Sequence, residues 1–169
     1  MCFYKCSNLT YISIPNTIQI MYSYCFEACN KLTTVSFASN SILKEIPTAT
    51  FASCSSLTSI SIPDSVKRIG MAAFDSCSNL NTVSINYLSS KLESLDMGAF
   101  TNCYNLSNVV LPKSVKKIGV MAFENCRGIS SLNVPSSVIN IYTGAYRGCT
   151  ALTQVTFEEI GRASCRERV

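Results

Sequence analysis

The phrase Phe-x-x-Cys-x-x-Leu-x-x-Val-x-Ile, or a close variant, recurs seven times along the chain. The copies begin at Phe3, Phe26, Phe51, Phe74, Phe100, Phe123 and Tyr146, at spacings of 23, 25, 23, 26, 23 and 23 residues. A period of this size marks a solenoid, in which each unit buries its apolar side by stacking on its neighbours. Stacked repeats make long faces and seldom make a closed catalytic pocket. The rhythm therefore restricts function as well as fold.

Aligned on cysteine, the copies form a column of Cys6, Cys29, Cys54, Cys77, Cys103, Cys126 and Cys149. Three residues on stand Leu9, Leu32, Leu57, Leu80, Leu106, Ile129 and Leu152, and three further Ile12, Val35, Ile60, Val83, Val109, Leu132 and Val155. Two beyond those come Ile14, Phe37, Ile62, Ile85, Leu111, Val134 and Phe157. The final step of two is what a strand with one buried face requires. The step of three from phenylalanine to cysteine puts both side chains on one side of a helical turn. Each repeat is thus predicted as a short helical turn followed by a strand of about five residues. The expected fold class is an α/β solenoid.

Pro15, Pro63, Pro112 and Pro135 follow four of these strands and mark their ends, since proline has no N–H for a ladder. A second apolar pair follows in six of the repeats, as in Val66 with Ile69 and Val115 with Ile118. The two longer repeats keep the pair, so their extra residues, near Ser39 to Ile42 and Tyr87 to Lys91, bulge from a turn. Gly70 and Gly119 are predicted at tight turns with positive φ.

The segment Leu57 to Cys77, LTSISIPDSVKRIGMAAFDSC, and the segment Val109 to Cys126, VVLPKSVKKIGVMAFENC, carry a family resemblance. They resemble the BspA-like (Treponema pallidum-type) class of leucine-rich repeats, and the match runs over residues 2 to 157. Cys2 and Cys25 depart from it, standing where alanine is usual. The resemblance implies a curved, right-handed stack of seven repeats of about 23 residues with a parallel β-sheet face. It also implies a surface or secreted setting in bacteria or protists, adhesive or recognition roles, no enzymatic activity and no cofactor.

Residues 1–159 are expected to form one leucine-rich-repeat domain, uncapped at both ends and so open to end-to-end self-association. The tail Ile160 to Val169, IGRASCRERV, resembles the frame translation of a widely used sequencing adapter and is set apart from the fold. It accounts for half of the net charge of +4: without it 11 Lys+Arg stand against 9 Asp+Glu. Cys165 belongs to that tail. No run of apolar residues reaches the length of a membrane-spanning helix.

Ten cysteines and no histidine make a zinc site a poor reading, because structural zinc draws on Cys-x-x-Cys pairs and histidine. The cysteine column reads instead as a set of small buried core residues. Cys2 and Cys25 occupy equivalent positions on neighbouring repeats, which leaves a disulfide between them open. The absence of histidine removes the commonest general base and every Ser-His or Cys-His arrangement. Glu27, Asp75 and Glu124 each follow the phenylalanine of their repeat and are expected on a solvated side of the turn.

Lys67, Arg68, Lys91, Lys113, Lys116 and Lys117 cluster after the strands, but aromatics are not interleaved with them as a nucleic-acid platform needs. Nucleic acid is therefore not an expected partner. Asn8 and Asn105 open glycosylation sequons whose middle leucine is a core residue, which argues against modification of the folded chain.

Two columns point outward from the predicted sheet. One is Tyr11, Thr34, Ser59, Thr82, Asn108, Ser131 and Gln154; the other is Ser13, Ser36, Ser61, Ser84, Val110, Asn133 and Thr156. None of the fourteen is charged, and a face of hydroxyls and amides suits a protein or carbohydrate ligand. Serine and threonine are also ordinary exposed strand residues. A non-catalytic binding module is the leading expectation. The alternatives are a structural spacer that assembles through its repeats, and a targeting unit for a further C-terminal domain.

Overall fold

Two left-handed residues in each rung from Tyr24 onward decide how this chain turns. The first lies two positions before the ring residue, as at Tyr24, Ala49, Ala72, Gly98, Met121 and Gly144, with φ between 50° and 68°. The second lies two positions after it, as at Lys5, Ala28, Ser53, Ser76, Asn102, Asn125 and Gly148, with φ between 58° and 75°. An α-helix cannot include a left-handed residue every four positions. The segment is instead a run of tight turns, in which Ala73 N–H donates to Gly70 O, Asp75 N–H to Ala72 O and Cys77 N–H to Phe74 O.

The computed structural model describes residues 2–159, and no helix occurs among them. The expected α/β class is thereby corrected to an all-β parallel solenoid. The step of three from ring to cysteine does place both side chains inward, but consecutive turns achieve it rather than a helical turn. The number of repeats is corrected as well: seven ring positions bound about six turns of chain. The adapter-like reading of residues 160–169, Cys165 included, falls outside the described residues.

One side of the stack carries β1 (Tyr11–Ile14), β2 (Thr34–Phe37), β4 (Ser59–Ser61), β6 (Thr82–Ser84), β8 (Asn108–Val109), β10 (Ser131–Val134) and β12 (Gln154–Phe157). They have two to four residues, shorter than the five expected. All pairings are parallel, in sheets ordered β1-β2, β4-β6-β8 and β10-β12. A second side carries β3 (Glu45–Ile46), β5 (Arg68–Ile69), β7 (Ser94–Leu95), β9 (Lys117–Ile118) and β11 (Asn140–Ile141) as one continuous parallel sheet. The second apolar pair feeds this sheet in five repeats, with Ile46, Ile69, Leu95 and Ile118 turned inward, whereas Ile18 and Met21 lie in no strand.

The turn side is also hydrogen-bonded from rung to rung. Ala49, Phe51 and Ser53 donate to the carbonyls of Met71, Ala73 and Asp75 at 2.7–2.8 Å, and later rungs repeat the pattern. Alternate N–H groups thus point along the stack, which leaves few backbone donors without a partner.

The core holds the columns read from the sequence. Phe51, Phe74, Phe100 and Phe123 are fully buried, and rings on successive rungs stack with centroids 5.1–5.5 Å apart. Each buried ring contributes about 1.5–3 kcal/mol of burial and each stack about 0.5–1.5 kcal/mol. The columns fail at the outer rungs, where Cys6, Ile141, Val155 and Phe157 are exposed. A residue in a stack is covered by the rungs on both sides of it.

Gly70 and Gly119 do not have positive φ. They are glycines because a Cβ would lie 2.8 Å from the Pro47 carbonyl carbon in one case and 2.6 Å from that of Asp96 in the other. Close approach of rungs, not turn conformation, requires them.

Candidate recognition face

Alternation along the first sheet turns one set of side chains into the core and its neighbours to solvent. The register aligns Tyr11 with Thr34 and Ser13 with Ser36. It aligns Ser59 with Thr82, Ser61 with Ser84, and Thr82 with Asn108. Ser131 stands beside Gln154 and Asn133 beside Thr156. Thr82 is half-buried; Tyr11, Ser13, Thr34, Ser36, Ser59, Ser61, Ser84, Asn108, Ser131, Asn133 and Gln154 are exposed. The sequence-predicted residues therefore share one face, in three blocks set by the three sheets.

Within this face the polar groups differ in what they touch. Thr82 Oγ1 donates to Asn81 Oδ1 at 2.9 Å, and Thr156 Oγ1 to Asn133 Oδ1 at 3.1 Å. Asn133 Nδ2 donates to Glu158 Oε1 at 3.0 Å. Among the described residues, the side chains of Ser36, Ser59, Ser61, Ser84 and Asn108 have no protein hydrogen-bond partner. They are outward donors and acceptors one rung apart.

Two shallow grooves cross the face and share Ser61, Ile62 and Asp64. One reaches Thr34, Ser36 and Phe37; the other reaches Thr82, Ser84 and Asn108. Extra residues Ser39 and Ser41 line one groove, and Asn86, just before the extra residues of the other longer repeat, lines the second. Asn86 Oδ1 accepts the N–H groups of Leu88 and Ser89 at 3.1 Å each, and Ser89 Oγ donates to the Asp64 carboxylate. Farther along, Tyr87 OH donates to Glu158, and Lys113 lies 5.3 Å from the Tyr87 ring centre. That bond is the main reason the Glu158 carboxyl falls below its usual range.

Asp64, Phe37 and the Asn86 loop had no place among the predicted site residues. The signal that could have found them was the pair of longer spacings.

Several other charged groups have partners within the stack. Glu124 is buried and accepts from Arg147 Nε at 2.7 Å. Asp75 is half-buried, and burial pushes its carboxyl above the usual range against hydrogen bonds from Ser76 and Asn102. The solvated position expected for Glu27, Asp75 and Glu124 is corrected: Glu27 and Asp75 are half-buried and Glu124 is buried, because their ring-proximal turns pack against adjacent rungs. Arg68 bridges two rungs, meeting Glu45 at 2.5 Å and also Asp96, while Lys116 meets Glu93 at 3.6 Å. Two members of the basic cluster, Arg68 and Lys116, are thus paired with acids of adjacent rungs. Asn8 Oδ1 accepts from Lys31 Nζ at 3.0 Å, and the sequon leucine Leu106 is fully buried.

Each cysteine from Cys29 to Cys149 in the core column donates its thiol to the ring residue's carbonyl one rung back, at 3.1–3.3 Å. Burial pushes the Cys54 thiol up to about 12 and that of Cys77 well above its ordinary value. Thiols held protonated in this way are poor nucleophiles near neutral pH.

No curated protein matches the chain. Several solved structures do. A leucine-rich repeat protein from Bacteroides ovatus is 27% identical with a TM-score of 0.72, over 90% of this chain and 38% of that one. The T. pallidum leucine rich repeat protein is 26% identical with a TM-score of 0.52, over 75% of this chain and 68% of that one. A leucine rich cell surface protein from Faecalibacterium prausnitzii, 19% identical with a TM-score of 0.55, shares the fold over 93% of this chain and 62% of its own. The chain spans well under half the length of the B. ovatus protein. A family model for the BspA type leucine rich repeat region matches six copies over residues 1–89 and 86–165. With its repeat columns stacked as described, the chain belongs to the BspA-type leucine-rich repeat family.

Proposed function

We propose that this chain is a non-catalytic recognition module that binds a protein or glycan through its hydroxyl-lined sheet face. The observation that carries the reading is the set of outward groups at Ser36, Ser59, Ser61, Ser84 and Asn108. They are uncharged, unpartnered among the described residues and repeated at the rung spacing. A surface with few large aromatic anchors reads neutral hydrogen-bonding partners better than apolar ones. Asp64 adds one carboxylate to the shared part of the grooves. Membership of a family that the sequence resemblance links to surface and secreted proteins supports a location at or beyond the cell surface.

The test is binding of the purified chain to glycan arrays and to a panel of extracellular proteins. The double substitution Ser61→Lys with Ser84→Lys places two cations on the face and is expected to lower any affinity found by at least tenfold. The unfolding midpoint should stay unchanged, because both residues are exposed. Lys117→Ser, on the second sheet, serves as control and should bind as the parent does. Equal binding by the double variant would overturn the assignment to this face. A structural spacer would show no binding in either form.

A further inference from the structure

Position minus one to the ring is Thr50, Ala73, Ala99, Ala122 or Ala145 in five rungs, but Cys2 and Cys25 in the two adjoining ones. The Phe3 N–H donates to Cys25 O at 2.8 Å and Lys5 N–H to Glu27 O at 2.8 Å, so these two turns run in register. The rings one residue on, Phe3 and Phe26, stack 5.1 Å apart and 3° from parallel. A rung separation of this size falls within the Cα spacing of about 4.4–6.8 Å that a disulfide spans.

The same spacing applies to the core cysteines, but their surroundings differ. Those thiols are committed to ring-residue carbonyls and, from Cys29 to Cys126, have no exposed surface. The Cys25 sulfur has no such carbonyl; its neighbouring polar side chain is the Cys2 thiol, which adds to burial in pushing Cys25 up. Cys2 is exposed and Cys25 is 7% exposed. One partner meets an oxidant in solution, and the other waits behind it.

We propose that Cys2 and Cys25 form a cross-rung disulfide by exchange with a small-molecule disulfide. The Cys2 thiolate attacks one sulfur of that reagent, forming a mixed disulfide and releasing one thiol. The Cys25 thiolate then attacks the Cys2 sulfur, closing the bond between the rungs and expelling the second thiol. Two protein thiols are oxidised, one small-molecule disulfide is reduced, and the two protons end on the two released thiols. The bond clamps the first rung to the second in an oxidising setting and opens in a reducing one.

The experiment incubates the full chain, reduced and folded, with oxidised glutathione, then blocks free thiols and maps peptides by fragmentation. The expected result is the loss of two thiols and the mass of two hydrogens, with a link between Cys2 and Cys25 that a reductant reverses. In the Cys25→Ala variant, which restores the residue found in other rungs, Cys2 should instead retain a glutathione adduct. A persistent Cys2 adduct in the parent chain, or a link from Cys2 to Cys6, would overturn the proposal.

Discussion

The Cys126 thiol donates to the carbonyl oxygen of Phe100, one rung back, at 3.2 Å, and the same oxygen accepts the Cys103 N–H at 3.2 Å. Cysteine in this column therefore fills core volume and also supplies a second donor to a buried carbonyl that has two lone pairs. Leucine or valine there would fill space without the donor, and serine would bring a more strongly hydrated group.

These surroundings predict a sharp split in thiol reactivity. Alkylation of the folded protein near neutral pH should modify Cys2 and Cys6, which are exposed, and spare Cys54, Cys77, Cys103 and Cys126. Peptide mass mapping reads the result, and modification of Cys103 as fast as Cys6 would contradict the buried column. The same burial sets a pH dependence. Cys54 and its neighbours keep their protons in the folded chain well above the pH near 9.0 at which unfolded thiols lose them. Their raised values stabilise the fold fully below that pH, and the contribution is lost as pH rises from about 9 toward 12. Urea unfolding should show stability falling by up to about 1.4 kcal/mol per pH unit for each such thiol.

Gly70 and Ala72, two residues apart, should respond in opposite directions to exchange. Ala72 sits at φ 53°, where a Cβ is strained, so Ala72→Gly is expected to stabilise by about 0.5–1 kcal/mol. At Gly70 the added methyl of Gly70→Ala would meet Pro47 and Thr48 backbone atoms at 2.8 Å. The rungs must then separate, at a cost of about 1–3 kcal/mol. Thermal unfolding midpoints of the two variants decide the matter.

Much of this core was legible as columns. Leu57, Ile60, Ile62, Val66, Ile69, Phe74 and Cys77 are all buried, because each is an in-phase position that its neighbours cover. The turn side was not legible, since a spacing of three fits a helical turn and a run of tight turns alike. The left-handed positions do carry Gly98, Asn102, Asn125, Gly144 and Gly148, but Lys5, Ala28, Ala49 and Met121 at equivalent places hide the pattern. The second sheet escaped because strands of two residues are too short to show alternation. On the candidate face, alternation found the outward columns. The groove margin depends on Ser89 reaching Asp64 across 25 residues and Tyr87 reaching Glu158 across 71, contacts that no local pattern encodes.

A core deletion should damage its own rung first, because contacts in a stack are between neighbours. Leu80 is fully buried, and Leu80→Ala is expected to cost about 2–5 kcal/mol. Amide exchange should rise most in the rungs around Leu57, Leu80 and Leu106, and a uniform rise from end to end would show cooperativity reaching beyond neighbours.

Tyr146 offers the converse case, a substitution expected to strengthen the stack. Its ring continues the aromatic column, 5.2 Å from Phe123 and 8° from parallel. Its hydroxyl is buried and has no hydrogen-bond partner among the described residues, and burial pushes it above its ordinary range. A buried donor without an acceptor costs about 1–3 kcal/mol, whereas the ring's packing needs no hydroxyl. Tyr146→Phe should therefore raise stability by about 1–2 kcal/mol. The reverse change in mid-stack, Phe100→Tyr, should lower it by a similar or larger amount, since Phe100 is fully buried between Phe74 and Phe123. If Tyr146→Phe lowers the unfolding midpoint instead, the hydroxyl has an acceptor that its described neighbours do not supply.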